Sequence, residues 1–298
     1  MQLRFEGGTA VVTGAGSGLG LELARAAARR GMRLVLVDVQ GQALARAAQE
    51  LRQAGAQVLD FTLNVADGAA MEGLAESVAQ AWGAPHLVFN NAGVGTSGLL
   101  WEATAEEWQW VLGANLMGVA NGVRCFVPRM LAAARADAAW RGHIINTASM
   151  AGLVNPPNMG VYNASKHAVV SLTETLHHDL GLVTTQISAS LLCPFFVPTG
   201  IAQGQRPGAD PAQATLSQRL GQQMLDKAVQ SGKVSAAQLA EHTFKAVARG
   251  EFYIYSHPQA LASVRTRMED VLEARQPTDP LADRPQVREM LGRQLGGS

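Results

Sequence analysis

The chain has 298 residues, 47% of them hydrophobic and 16% charged, so it can bury a large core and is too apolar for general disorder. Its 24 basic residues balance 24 acidic ones, and this neutrality argues against nucleic acid or an anionic membrane as a partner. One domain usually has about 100–200 residues, but α/β folds reach about 250, so we expect one large domain with an appendage.

The N-terminal stretch and the cysteines bear on the compartment. The stretch MQLRFEGGTAVVTG lacks the long apolar region and the cleavage site of a signal peptide. No segment approaches the roughly 20 apolar residues that span a bilayer. Cys125 and Cys193 lie far apart and outside any CxxC, which disfavours a disulfide framework or a zinc site. We therefore expect a cytoplasmic protein without a membrane partner.

Short runs rich in β-branched residues alternate with amphipathic segments along most of the chain. The runs begin at Thr9, Leu34, Gln57, His86, His143, Gln186 and Phe252. Helical stretches that close near a glycine follow the first three runs, at 19–31, 41–55 and 67–83. Strands that alternate with helices form βαβ crossovers. The sequence therefore predicts an α/β fold with a doubly wound parallel sheet, the Rossmann fold.

Two segments depart from this alternation. The stretch at about 199–233 is too long for a plain connection, and it indicates either a mobile lid or an ordinary surface insertion. From His257 onward the pattern ends, with a helix expected at 261–274 and a loosely held end from Gln276. We therefore expect a main domain at 1–256, which includes the lid, and a C-terminal helical extension at 257–298.

The glycine-rich stretch TGAGSGLG, residues 13–20, follows the first strand and opens the first helix. It does not match GxGxxG, because Leu19 stands at the sixth position counted from Gly14. It matches TGxxxGxG, with Gly14, Gly18 and Gly20. Bare backbone at a helix N-terminus can approach a pyrophosphate. Taken alone, the stretch is equally typical of a tight strand-to-helix connection.

Asp38 ends the second strand, roughly 20 residues beyond the glycines, where a carboxylate can accept hydrogen bonds from an adenosine ribose. The same carboxylate would repel a 2′-phosphate, and neither Ala15 nor Val39 supplies a compensating positive charge. The pattern favours NAD(H) as the cofactor, with NADP(H) as the weaker alternative. Without the glycine turn, Asp38 would be interpreted as a solvated strand end or a helix cap.

The stretch VYNASKHAVVSLTETL, residues 161–176, places Tyr162 and Lys166 on one face of a predicted helix. The chain has only 4 lysines, so composition alone does not explain this spacing. Tyrosine ionises near pH 10, and a nearby positive charge lowers its pKa toward a value useful for proton transfer. In an isolated pair, the commoner arrangement is a packed ring beside a solvated lysine.

Taken in order, the motifs resemble those of the single-domain short-chain dehydrogenases/reductases, from about Thr9 to Ser256. The motifs are TGAGSGLG, the acid Asp38, LNV around Asn64, NNAG at 90–93, Asn115 within GANLMG, Ser149 after IINTA, and Tyr162-x-x-x-Lys166. The resemblance implies that Tyr162 exchanges a proton with a carbonyl oxygen, which Ser149 also holds. It implies that Lys166 contacts the nicotinamide ribose and that Asn115 anchors a water. A helix-cap or turn role is the plainer alternative for Ser149.

The resemblance also implies a set of cofactor-binding residues. They are Gly14, Ser17, Gly18, Leu19, Gly20, Asp38, Asn64, Val65, Asn91, Ala92, Gly93, Tyr162, Lys166, Pro194, Val197 and Thr199. Asn64 stands where the family often has aspartate, and both side chains accept a hydrogen bond. In CPFFVPTG, residues 193–200, Phe195 stands where the family commonly has glycine. Phe195 therefore requires different backbone angles or forms a wall of the substrate pocket.

We expect this substrate pocket to be apolar and partly aromatic. Its predicted lining is Ser149, Met150, Leu153, Val154, Met159, Phe195 and Phe196, with ordinary core packing as the alternative. The adjacent His177 and His178 do not share a helical face, and no HExxH occurs, so no metal site is expected.

The leading hypothesis is an NAD(H)-dependent oxidoreductase that interconverts a secondary alcohol and a ketone on a moderately hydrophobic small molecule. One alternative is a dinucleotide-responsive binding or regulatory protein, which the complete set of Asn115, Ser149, Tyr162 and Lys166 disfavours. Another is a reaction at a different bond, such as double-bond reduction or epimerisation. The family commonly assembles through the helices that contain Asn115 and Lys166, so we expect a homodimer or homotetramer.

Overall fold

The computed structural model describes residues 4–199, 208 and 210–296. Within this part of the chain, seven strands form one sheet in the order β3-β2-β1-β4-β5-β6-β7, and each neighbouring pair is parallel. The strands are β1 Thr9–Thr13, β2 Arg33–Asp38, β3 Val58–Thr62, β4 Leu87–Asn90, β5 Gly142–Thr147, β6 Ile187–Cys193 and β7 Tyr253–Tyr255. The predicted α/β fold with a doubly wound parallel sheet is confirmed.

Helices cover both faces of the sheet. They are α1 Gly18–Ala28, α2 Gly41–Gln53, α3 Gly68–Trp82, α4 Ala105–Leu112, α5 Gly118–Ala136, α6 Gly160–Val183, α7 Leu216–Gln230, α8 Ala236–Ala248, α9 Leu261–Leu272 and α10 Pro285–Gly296. A π-helical turn, Gly113–Met117, joins α4 to α5.

Successive residues of β1 enter different cores, because side chains alternate across a strand. Val12 packs with Leu23 of α1 and Phe244 of α8, whereas Val11 packs with Phe126 of α5 on the opposite face. Burial of one such side chain contributes about 1.5–3 kcal/mol. Because β1 pairs with β2 on one side and β4 on the other, strand order reverses beside β1. Ligands of such sheets bind near this reversal, beyond the carboxyl ends of the strands.

The residues after β7 form two helices. Leu261 and Val264 of α9 pack against a core cluster that includes Met150 and Leu153. The expected helix at 261–274 therefore corresponds to α9. The sequence did not predict α10, which lies within the end from Gln276 and buries Leu291.

The helical run formed by α4, the π-helical turn and α5 spans 32 residues, Ala105–Ala136. By length and composition alone, this run could cross a membrane, and it is the one such helix in the described part of the chain. Core helices of soluble proteins meet the same criterion. Here Val119, Phe126 and Met130 are buried in the protein core, so this helix is weak evidence for a membrane span.

His143 should make the fold sensitive to acid. His143 lies in β5, and its Nε2 is 2.7 Å from Oγ of Ser190 in β6. Burial lowers the pKa of His143 from 6.5 to about 4. Between these pH values the unfolded chain binds a proton that the native protein does not. As pH falls through this window, His143 should reduce the free energy of unfolding by about 3 kcal/mol.

Urea unfolding above and below this window, for wild type and for His143→Asn, measures the effect. Asparagine does not titrate, so the variant should lose less stability on acidification than the wild type. Equal losses in the two proteins would show that another group causes the acid sensitivity.

Candidate active site

A cavity of about 690 Å³ opens at the carboxyl edge of the sheet. Segments that follow six different strands line it: Gly14 after β1, Val39 after β2, Asn64 after β3, Asn91 after β4, Ser149 after β5 and Pro194 after β6. The cavity therefore lies where strand order reverses, as expected for a ligand site of this fold.

The turn after β1 and the first turn of α1 each require a glycine. Gly14 has a φ of +68°, and a Cβ there would lie 2.9 Å from Ala92 Cα. A Cβ on Gly20 would lie 2.0 Å from the carbonyl oxygen of Gly14. Only bare backbone permits this approach, and the turn lines the cavity at the N-terminus of α1. The turn therefore fits a pyrophosphate, which favours such a helix terminus.

Thr13, the last residue of β1, fixes the segment after β4. Its Oγ1 accepts hydrogen bonds from the backbone N–H of Asn91 (2.9 Å) and Ala92 (3.0 Å). In return, Asn91 Nδ2 donates to the Thr13 carbonyl at 3.0 Å. Asn91, Ala92 and Gly93 thus lie against the glycine turn and line the cavity. Sequence reasoning did not single out Thr13, although its position at the end of a strand was a usable signal.

The Asp38 carboxylate lies between the glycine turn and the start of α2. It accepts hydrogen bonds from the backbone N–H of Gly16 and of Gln40, each at 2.9 Å. Among the described residues that line the cavity, Lys166 is the one lysine, and there is no arginine. Asp38 therefore presents its negative charge to the cavity without a neighbouring cation for a 2′-phosphate.

The loop after β3 forms another part of the lining. Asn64 Oδ1 accepts a hydrogen bond from Ala66 N at 3.0 Å, and the Val65 carbonyl accepts one from Asn121 Nδ2 at 2.9 Å. Asn64 and Val65 both line the cavity, whereas Asn121 holds the loop from α5. Sequence reasoning missed Asn121, because only the folded structure brings α5 to this loop.

Tyr162 and Lys166 lie on the first turns of α6 and face the cavity. They are 7% and 2% exposed, respectively. Lys166 Nζ lies 5.8 Å from the centre of the Tyr162 ring and donates to the Thr147 carbonyl at 3.0 Å. Lys166 is therefore buried and hydrogen-bonded, unlike the solvated lysine of the plainer alternative.

The pKa values of this pair differ from the sequence-based expectation. Burial raises the pKa of Tyr162 to about 12, while a hydrogen bond with the Ser149 hydroxyl acts in the opposite direction. Burial also lowers the pKa of Lys166 from 10.5 to about 8. We expected the lysine charge to lower the pKa of Tyr162, and that expectation was wrong for this structure. Loss of solvent is the largest cause of both shifts.

Ser149 combines the two roles that its sequence position left open. Its Oγ accepts a hydrogen bond from Ala151 N at 3.1 Å and so caps the short 3₁₀ turn Met150–Gly152. The same hydroxyl lines the cavity and lowers the pKa of Tyr162. Capping fixes the serine backbone while the hydroxyl stays beside the tyrosine.

Asn115 lies in the π-helical turn and is fully buried. Its Oδ1 accepts from Val94 N at 2.7 Å, and its Nδ2 donates to the Val94 carbonyl and to Ser165 Oγ, each at 3.0 Å. Asn115 does not line the cavity and instead fixes the segment behind it. The sequence predicted a helix around Asn115, and the structure has a π-helical turn there; such turns are rare overall but frequent at functional sites.

Two residues predicted to line the substrate pocket lie elsewhere in the structure. Met150 and Leu153 do not line the cavity and pack into a core cluster with Val169 and Leu191. The reason is the 3₁₀ turn after Ser149, which directs both side chains into the core. The other predicted lining residues, Val154, Met159, Phe195 and Phe196, do face the cavity.

Phe195 forms a wall of the cavity. Its φ is not positive, since Asn158 and Ala274 are the non-glycine residues with positive φ among those described. Its backbone N–H donates to Ser256 Oγ at 2.8 Å, and its ring centre lies 4.4 Å from that of Phe196. Phe195 therefore adds an aromatic surface to the cavity without glycine-like backbone angles.

Helix α7 supplies cavity residues that sequence reasoning missed. Leu225 and Val229 of α7 face the cavity. Glu102 Oε2 accepts hydrogen bonds from the hydroxyls of Thr215 and Ser217, each at 2.6 Å, and so attaches the start of α7 to the loop before α4. Of the segment expected at about 199–233, residues 200–207 and 209 lie outside the described residues. The described part includes a helix at the cavity, and both the lid and the surface-insertion interpretations remain predictions.

Asn158 joins the segment before α6 to two neighbours. Its φ is +64°, in the left-handed region that asparagine tolerates better than most residues. Its carbonyl accepts from Gly98 N at 2.9 Å, and its Nδ2 donates to the Ser217 carbonyl at 2.9 Å. One side chain thus ties a wall of the cavity to α7.

The histidine pair does not form a metal site with other side chains. The rings of His177 and His178 contact each other, with centres 5.5 Å apart, although we expected consecutive residues to diverge. Across 4–199, 208 and 210–296, no group of three histidine, cysteine, aspartate or glutamate side chains could hold a metal ion.

Comparison with known proteins gives consistent matches. A family model described as short chain dehydrogenase matches residues 8–210. The crystal structure of a short chain dehydrogenase/reductase from Burkholderia phymatum in complex with NAD is 51% identical, with a TM-score of 0.89, and covers 94% of this chain and 99% of that chain.

Two curated relatives are similar over most of their length. The CLA biosynthesis dehydrogenase/reductase of Lactiplantibacillus plantarum is 32% identical over 268 residues, 88% of this chain and 92% of the relative. The 1-deoxy-11-beta-hydroxypentalenate dehydrogenase of Streptomyces exfoliatus is 36% identical over 268 residues, 88% of this chain and 87% of the relative.

Proposed function

The chain belongs to the short chain dehydrogenase family, and from this we propose that it is an NAD(H)-dependent oxidoreductase that interconverts a secondary alcohol and a ketone. The observation that carries this proposal is the presence of Tyr162, Lys166 and Ser149 in the cavity that the glycine turn also lines. The glycine turn alone does not require this reaction, and neither do the three side chains alone. Together they provide a dinucleotide site and a proton-transfer site within one volume.

In the proposed mechanism, the bound nicotinamide supplies the hydride for ketone reduction or accepts it in alcohol oxidation. The Tyr162 hydroxyl gives its proton to the substrate oxygen during reduction and takes it back during oxidation. The Ser149 hydroxyl donates a hydrogen bond to the same oxygen and fixes its position. Lys166, with a pKa of about 8, is mostly protonated near neutral pH and stabilises the phenolate as it forms.

Burial of Tyr162 keeps this residue in the acid form that reduction uses. With a pKa of about 12, the phenol holds its proton at neutral pH, so it is ready to act as an acid. A developing alkoxide is a far stronger base than a phenolate, and proton transfer to it is therefore downhill. Oxidation requires the phenolate first, and the hydrogen bond from Ser149 and the positive charge of Lys166 offset part of that cost.

The proposed substrate is uncharged and moderately hydrophobic. The walls beyond the proton-transfer pair include Val154, Met159, Phe195, Phe196 and Leu225. These side chains offer apolar area and no partner for a charged substituent.

We expect NADH to bind more tightly than NADPH, because the Asp38 carboxylate repels a 2′-phosphate. Asp38→Asn removes the charge but keeps an oxygen that can accept from Gly16 N. This variant should therefore bind NADPH more tightly and NADH somewhat less tightly. Fluorescence titration of both dinucleotides measures the change, and equal or reversed affinities in the wild type would rule out this role for Asp38.

In the first experiment, the purified protein is mixed with NADH and a panel of ketones and diketones graded by size and polarity, and nicotinamide absorbance is followed. Turnover of apolar members supports the proposal. NADH binding without turnover would favour the dinucleotide-responsive binding protein. Turnover restricted to activated double bonds would favour reduction at a different bond.

We further propose a cytoplasmic homodimer or homotetramer. Exposed apolar side chains on the π-helical turn and α6 support this assembly, namely Met117, Leu182 and Val183. Light scattering of the purified protein measures its mass in solution.

A further inference from the structure

Ser165 is fully buried beside the proton-transfer pair and has no role in the mechanism above. Its Oγ donates to the Tyr162 carbonyl at 2.7 Å and accepts from Asn115 Nδ2 at 3.0 Å. The hydroxyl thus links the first turn of α6 to the π-helical turn. Both of its neighbours belong to the set that the family resemblance singled out.

Asn115 transmits this link to the segment after β4. Its amide binds both the N–H and the carbonyl of Val94. A Cβ on Gly93 would lie 2.9 Å from Asn115 Oδ1 and 3.4 Å from Lys166 Nζ. Asn115 and Lys166 therefore pack against the same glycine, so a shift of Asn115 changes the surroundings of the lysine.

We propose that Ser165 is a positioning residue whose hydroxyl holds Asn115 against α6 and thereby keeps Tyr162 and Lys166 in register with residues 93–94. The inference rests on the proposed function of Tyr162 and Lys166. Without the hydroxyl, Asn115 Nδ2 keeps only the Val94 carbonyl as an acceptor, and an unpaired buried donor favours rearrangement. The π-helical turn can then move relative to α6.

The same helix provides a matched control in Thr173. Its Oγ1 is buried, donates to the Val169 carbonyl at 2.7 Å and accepts from Asn146 Nδ2 at 3.0 Å. Ser165→Ala and Thr173→Val each remove a buried hydroxyl that joins an asparagine amide to a carbonyl of α6. Neither Thr173 nor Asn146 lines the cavity. A general loss of helix stability should appear in both variants, whereas loss of positioning should appear only in Ser165→Ala.

The kinetic test compares these two variants with the wild type in ketone reduction. We expect Ser165→Ala to lower kcat by about 10- to 100-fold, because a misplaced catalytic group loses the alignment that proton transfer needs. The KM for the ketone and the Kd for NADH should stay close to the wild-type values. Thr173→Val should retain the wild-type kcat.

A second readout does not depend on turnover. The chain has 4 lysines, so carbon-13 labelling of the lysine side chains gives an NMR spectrum simple enough to titrate. Lys166 should titrate near pH 8 in the wild type. In Ser165→Ala, looser packing admits solvent to Nζ and moves this value toward 10.5, whereas Thr173→Val should leave it unchanged. The alkaline limb of the kcat/KM profile should move in the same direction.

The titratable groups that face Lys166 do not obscure this measurement. They are Tyr162 on α6 and Cys193 at the end of β6. Burial raises the pKa of each to about 12, so both stay neutral while Lys166 titrates.

Unchanged kcat and an unchanged Lys166 titration in Ser165→Ala would overturn the proposal, as would equal changes in Thr173→Val. If Ser165→Ala does not fold, Ser165→Cys replaces it, because a thiol is a weaker donor at the same place and should give intermediate changes. Failure of the proposed function is distinguishable, since it would appear as wild type without turnover or as an active Tyr162→Phe variant. The lysine titration reports on Ser165 in either case.

Discussion

Replacement of Tyr162 by phenylalanine is expected to lower kcat/KM for ketone reduction by about 1,000-fold or more, because proton transfer by a positioned acid contributes about 10²–10⁴. Phenylalanine keeps the buried ring and removes only the hydroxyl, so the Kd for NADH should be unchanged. Nicotinamide absorbance measures the turnover, and fluorescence titration measures the binding.

Another tyrosine, Tyr253, provides the control. Tyr253 donates to Glu174 at 2.7 Å on β7 and does not line the cavity, so Tyr253→Phe should retain full activity. Substantial activity in Tyr162→Phe would remove Tyr162 from the mechanism. Loss of NADH binding in that variant would instead indicate a structural defect.

Gly20→Ala should destabilise the protein although alanine is the better helix former. In a helix interior, alanine is favoured over glycine by about 1 kcal/mol. At this position, however, the new Cβ would lie 2.0 Å from the Gly14 carbonyl oxygen and 2.8 Å from Asn91 Nδ2. The turn must shift, so we expect the free energy of unfolding to fall by about 3 kcal/mol or more and NADH binding to be lost.

Gly73→Ala is the matched substitution, because Gly73 also lies inside a helix but has no atom within 4 Å of the added Cβ. The free energy of unfolding of this variant should rise by about 1 kcal/mol, and the variant should bind NADH normally. Urea unfolding and NADH titration of both proteins measure these effects. A Gly20→Ala variant as stable as Gly73→Ala would show that the turn does not need the close approach seen here.

The features that could be predicted from the sequence depend on local pattern. Seven β-branched runs became seven strands, and central strands such as β1 and β4 are continuous apolar runs because both of their faces are buried. The glycine turn and the acid Asp38 lie at strand ends, where the parallel fold brings them to one edge. Tyr162 and Lys166 share a helical face by spacing alone.

Other features depend on tertiary structure and left no local signal. Met150 and Leu153 turn into the core because of a single 3₁₀ turn. Leu225 reaches the cavity because hydrogen bonds to Glu102 place α7 beside it. The raised pKa of Tyr162 reflects burial, which spacing to a lysine does not reveal.

The residue at position 158 limits how this protein can vary. Glycine would accept the φ of +64° but has no side-chain amide that could donate to the Ser217 carbonyl. Aspartate tolerates the same backbone but is acceptor-only when ionised, and most other residues are strained there. Asparagine meets both the backbone and the hydrogen-bond requirement. A substitution at this position would therefore change the cavity wall and the attachment of α7 together. Variation that alters substrate choice should therefore accumulate at Leu225 and Phe196 before it reaches Asn158.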